Sequence, residues 1–216
     1  AGAPCWVQTI KVADIISNTS SIVEHDPKFA VVYLEEKRLL LDGLTALQSD
    51  PNDLDAIKQV GNAYYQIHSQ TGGAAYAQKG IDYYSEYLDS RPDDADVRTD
   101  MAVLYFYIGE TDRAIQEASE VIQAEPEHVN ANFNLGVFYW RGRSDYQAAA
   151  RQFMTVVDLL NDTSDPHDTI IDTNARENLK AIQQEATQAG VTIDVPTSRM
   201  RYWDVDDPTW SEDEHA

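Results

Sequence analysis

The chain has 216 residues, with 37 Asp and Glu against 16 Lys and Arg, for a formal charge of −21 at neutral pH. That length buries a core without disulfides or metal, and the single cysteine, Cys5, excludes an intramolecular disulfide. The acidic balance argues against nucleic acid and anionic membranes, which are bound through protein cations, and favours a basic or apolar protein partner.

Residues 1–25 form an N-terminal arm with little pattern beyond a short helical stretch at Val12–Asn18. The segment "AGAPCW" sets small residues before Cys5, but no apolar run precedes them and Pro4 sits directly before the cysteine, so it is not a lipoprotein cleavage site. An exported, processed chain and a fragment of a soluble protein both fit this start, which leaves cytoplasmic and exported locations open. No stretch is long and apolar enough for a transmembrane helix, so direct membrane insertion is not expected.

Asp26–Gln48 predicts an amphipathic helix capped by Asp26 with Pro27 in its first turn. Its end, "LTALQSDP", looks like the end of a repeat's second helix, so residues 26–50 are an N-terminal helix or a degenerate half-repeat. Beyond it the chain is self-similar. Pro92 and Pro126 lie 34 residues apart, and Met101, Ala102 and Tyr105 match Leu135, Gly136 and Tyr139 at the same spacing. Ala114 pairs with Ala149 and Val121 with Val156 at 35, which places a one-residue insertion near Arg143. Val60, Gly61 and Tyr64 precede their counterparts by 41, so the first unit carries seven extra residues, placed at "SQTGGAA" (Ser69–Ala75), where Gly72-Gly73 breaks a helix. Each unit predicts two helices, the first opening after an X-Pro pair and the second near an Asp. Small residues at Gly61, Ala102 and Gly136 are expected to face Gly80, Ala114 and Ala149, with Tyr64, Tyr105 and Tyr139 wedged between paired helices.

"NFNLGVFYWRG" (Asn132–Gly142) followed by "YQAAARQFMTVV" (Tyr146–Val157) resembles the tetratricopeptide repeat family. The second unit follows with Met101-Ala102 for Leu-Gly and Ala118 for the later aromatic, and the first follows with its insertion. The resemblance covers residues 51–161 as three repeats, 51–91, 92–125 and 126–161. It implies an all-α fold, a right-handed superhelix of antiparallel helix pairs. His167–Gly190 predicts a closing helix, placing a capping element at 165–190, and 191–216 is an acidic tail with Trp203 and Trp210.

Catalytic and metal motifs are missing from the sequence. There is no P-loop, GxGxxG, GxSxG, HExxH or EF-hand pattern, and the five histidines are scattered, which suits surface residues near helix ends better than metal ligands. The aspartates at 162, 165, 168 and 172 lack an EF-hand's Gly and final Glu; a helix N-terminus explains them. The glycosylation patterns at Asn18 and Asn161 carry little weight. No catalytic residue, metal or cofactor is expected.

The resemblance implies a concave groove lined by the first helix of each repeat. Its residues are Lys58, Asn62 and Tyr65 in the first, Thr99, Val103, Phe106 and Tyr107 in the second, and Asn130, Phe133, Val137, Trp140 and Arg141 in the third. Some family members clamp a chaperone's C-terminal carboxylate with Lys and Asn in the first repeat, Asn in the second, and Lys and Arg in the third. Lys58 and Asn62 match the first pair, but Asp100, Phe133 and Val137 stand in the other places, so that function is not expected. The expected function is an interaction scaffold whose aromatic groove holds a protein or peptide segment. The alternative is a fixed subunit of a larger assembly, contacting its neighbours through the terminal arms. The tail, through Trp203 and Trp210, is a competing occupant that would pack on the array. Oligomeric state is left open.

Overall fold

The computed structural model describes residues 27–161 and 165–194. The Asp26 cap, the arm with Cys5, Asp162, Trp203 and Trp210 lie outside the described residues. Among the described residues every regular element is a helix: α1 (Pro27–Ser49), α2 (Leu54–Thr71), α3 (Ala74–Ser90), α4 (Ala95–Tyr107), α5 (Thr111–Ala124), α6 (Val129–Val137), α7 (Tyr146–Leu160) and α8 (Pro166–Gln188). A π-helical turn, Phe138–Arg143, continues α6. The fold is an all-α, tetratricopeptide-like arrangement of helix pairs, and no described helix is long and apolar enough to cross a membrane.

The three X-Pro pairs each build the same start. Pro51, Pro92 and Pro126 occupy the second position of a β-turn, closed by hydrogen bonds from Asp53, Asp94 and His128 N–H to the carbonyls of Asp50, Arg91 and Glu125. The residue that closes the turn then caps the helix. Asp53 accepts from Asp55 and Ala56 N–H, Asp94 from Val97 N–H, and His128, through Nδ1, from Ala131 N–H.

The chain divides after Glu110 into two compact units. In the first, α1 packs on α2, α2 on α3 and α3 on α4. Leu40, Val60, Ala63, Tyr64 and Ile67 form a core cluster there, joined by Tyr76 and Tyr83. Gly61 lets α3 close in: a Cβ there would lie 2.6 Å from the Tyr84 ring. Gly80 stands against Gly61 as expected, its Cβ position 3.7 Å from the Gly61 carbonyl, and the buried Tyr84 ring fills the space beside Gly61. The second unit repeats this, with the Phe153 ring 3.0 Å from a Cβ built on Gly136. The reason is close packing: the small residues let the helices approach, and a ring fills what space is left.

The seven extra residues of the first repeat become helix. α2 has 18 residues against 13 in α4, and α3 has 17 against 14 in α5, with only Gly72 and Gly73 between α2 and α3. In the second unit α5 packs on α6, α6 on α7 and α7 on α8. Residues 191–194 run back along α7, where the Gln147 side chain exchanges two hydrogen bonds with the Asp194 backbone, at 2.6 and 3.1 Å.

The one-residue insertion of the third repeat is a wider turn. At the end of α4 the Glu110 N–H donates to the Tyr105 carbonyl, five residues back. At the equivalent place the Asp145 N–H donates to the Tyr139 carbonyl, six back, and the extra residue is absorbed in the π-helical turn. Gly109 (φ +86°) and Ser144 (φ +53°) take the left-handed conformation that ends each segment.

Candidate functional site

In the first unit α2 and α4 are the first helices of successive repeats. They bring Tyr65, His68, Phe106 and Tyr107 together at their C-terminal ends. The His68 and Tyr107 ring centroids are 4.8 Å apart and those of Phe106 and Tyr107 are 6.3 Å apart. Tyr107 is 59% exposed, while Phe106 and Tyr65 are half-buried. Burial, then the nearby Asp100 carboxylate and Tyr107, push the Tyr65 phenol up to about 12, which keeps it protonated.

His68 departs from the expectation of surface histidines. It is buried, and its Nδ1 lies 3.1 Å from the Gly73 carbonyl; a carbonyl can only accept, so Nδ1 carries the proton. The sequence signal was its place on the apolar stripe of α2, at helical spacing from Ile57, Gly61 and Tyr64.

The first-repeat residues that match a carboxylate clamp are both used internally. Lys58 Nζ donates to Asp94 Oδ2 at 2.8 Å, and the Tyr84 hydroxyl donates to Asn62 Oδ1 at 2.9 Å. Asp94 also accepts from the Tyr87 hydroxyl at 2.9 Å. Burial raises the Asp94 carboxyl, but the bonds from Lys58, the Val97 N–H and Tyr87 outweigh it, and it titrates below the usual carboxylate range. The bond to Asp94 holds the Lys58 ammonium above its ordinary value against the opposing effect of burial. Thr99 is 2% exposed and returns its hydroxyl to the Ala95 carbonyl, so its side chain is core; Val103 is half-buried.

In the second unit the corresponding helix is α6 with its π-helical turn. Asn130 is exposed at its start. Phe133 and Val137 are half-buried against the core cluster of α7 and α8, Phe133 with its ring 5.3 Å from Phe153 in an edge contact. Trp140 is 5% exposed; its indole N–H donates to Glu185 of α8 at 2.8 Å. The Arg141 guanidinium lies 3.5 Å from the Trp140 ring centroid and reaches the other oxygen of Glu185 at 3.3 Å. Arg143 pairs with Asp112 of α5.

A second aromatic group of the first unit, unremarked in the sequence, lies at the α2–α3 pair. Tyr64 stacks on Tyr76 and Tyr83 at 6.4 and 5.8 Å, with Lys79 5.2 Å over its ring. Tyr76 falls in the lengthened start of α3, and Tyr83 stands where the second repeat has Glu117, so no aromatic counterpart marked either. Among the described residues no group of three or more His, Cys, Asp or Glu side chains is placed to hold a metal ion.

No family model matches the chain, and no curated protein matches it in sequence. Solved structures do match. The crystal structure of MamA is 17% identical, covers 69% of this chain and 81% of its own, and gives a TM-score of 0.51. Another crystal structure of MamA protein is 14% identical, covers 83% of this chain and 100% of its own, and gives 0.50. The Sgt2 TPR domain from Aspergillus fumigatus, 18% identical over 68% of this chain and 93% of the domain, gives 0.49. At such identities the likeness is one of fold. The chain has the tetratricopeptide-repeat fold.

Proposed function

We propose that this chain is a protein-interaction scaffold, not an enzyme, and that the face carried by the C-terminal turns of α2 and α4 holds a segment of a partner protein. One observation carries the reading: Tyr107 stands 59% exposed beside Phe106 and Tyr65 in a chain whose other large aromatics are mostly buried or half-buried where described. Exposed tyrosine beside a partly buried aromatic supplies contact area with little side-chain entropy to lose, which is the composition of interface hot spots. The fold supports it, because helical repeats present their first helices as a binding surface. In this reading Lys58, Asn62 and Thr99 hold the face in shape, and Trp140 with Phe133 hold the second unit.

The test is affinity capture with the full chain, the double variant Phe106→Ala/Tyr107→Ala, and a chain ending at Asp194. All three are first matched for thermal unfolding. The proposal expects the double variant to lose the captured partner and the shortened chain to keep it. Loss with the shortened chain alone would instead favour a fixed assembly subunit that works through its terminal arm.

A further inference from the structure

We propose that the site clasps a cationic side chain, an arginine or lysine of the partner segment, with the cation against the exposed Tyr107 ring. This rests on the interaction reading above and adds the chemistry of the occupant. Three features of the first unit converge on it. First, Tyr107 is 59% exposed beside the His68 ring, and an aromatic ring attracts cations through its quadrupole. Second, the cluster sits where α2 and α4 both end, and a helix C-terminus carries about half a negative charge. The last turn of α4 holds no basic residue and that of α2 holds only His68. Third, the Asp100 carboxylate of α4 raises the Tyr65 phenol, so the field at the aromatic group is negative.

The molecule already contains this arrangement once. In the repeat frame Trp140 corresponds to Phe106 and Arg141 to Tyr107. Arg141 lies on the Trp140 ring at 3.5 Å and pairs with Glu185. The third repeat thus supplies its own cation to an aromatic next to a carboxylate. The second repeat presents the aromatics and puts a tyrosine where that arginine would be. A guanidinium from outside, laid on the Tyr107 ring, brings to this aromatic pair the cation that Arg141 brings to Trp140. Complementarity with the chain's charge of −21 selects a basic protein segment over nucleic acid or an acidic lipid.

The experiment selects ligands from a random dodecapeptide library displayed on phage, against the immobilised full chain. The selected sequence is then synthesised with a fluorophore and measured by anisotropy. Selected peptides should carry Arg or Lys beside an apolar residue. Replacing that Arg by citrulline, its uncharged isostere, should weaken binding about tenfold. Tyr107→Leu should weaken it about fivefold or more, while Tyr107→Phe, which keeps the ring, stays within about twofold. Peptides without basic residues, or equal binding of the citrulline form, would overturn the cation proposal. If such peptides still lost affinity on Tyr107→Ala, the interaction reading would stand without it. A library yielding no binder would overturn both.

Discussion

Residues 106–107 and 140–141 occupy the same two places in successive repeats, yet the molecule uses them in opposite ways. In the first unit the pair is Phe106 and Tyr107, and the tyrosine is left open to solvent. In the second the pair is Trp140 and Arg141, where Glu185 of α8 takes the indole N–H and the guanidinium together. The same helical position is a surface where no later element of its unit covers it and a structural joint where one does. What decides between them is the covering helix. A repeat position sets where a side chain points, and the neighbour sets whether anything outside can reach it.

The largest effect should come from the covered member. Trp140→Ala removes a buried indole and its hydrogen bond to Glu185, and should cost about 3–5 kcal/mol in urea unfolding. A loss under about 1 kcal/mol would mean the joint contributes little. Gly61→Ala tests how tightly the first unit is built: its methyl would meet the Tyr84 ring at 2.6 Å, so about 1–3 kcal/mol should be lost. Asp94→Asn tests the clasp that ties α2 to the start of α4. It keeps a capping group but removes the partner of Lys58, and should cost about 1 kcal/mol near neutral pH.

The sign of the pH dependence follows from the same residue. The Asp94 carboxyl titrates lower in the folded chain than unfolded, so its stabilisation is complete above the ordinary aspartate range and is lost as pH falls through the folded value. Lys58 is shifted up, so its share is lost only at alkaline pH. Below about pH 4 the wild type should therefore lose its advantage over Asp94→Asn, measured as the difference in unfolding midpoint across an acid titration. The smallest stability effect belongs to the open member: Tyr107→Ala should change unfolding by less than about 0.5 kcal/mol. A loss as large as that of Trp140→Ala would erase the distinction between the two places.

The repeat spacing made most of this architecture legible. The shift from 34 to 35 between the second and third repeats marked the place where the Asp145 N–H reaches six residues back to Tyr139. Tyr64 and Tyr105 were expected in the core and are buried there. Three features were not legible, each for a physical reason. Lys58 looked free to bind an anion because its partner, Asp94, lies 36 residues on. Trp140 looked available because Glu185, 45 residues on, belongs to a helix outside the repeat frame. The sequence placed the seven extra residues at the Gly72-Gly73 break but did not show that they lengthen both helices: Ala74 and Ala75 on the far side favour helix and begin α3 at once.

The most direct test of the contrast is hydrogen–deuterium exchange of the full chain with and without a saturating library-selected peptide. The account predicts slowed exchange in the last turns of α2 and α4 and in the turn that follows each, at 65–73 and 104–110, with exchange across 133–143 unchanged. Protection centred on 133–143, with none at 104–110, would contradict it.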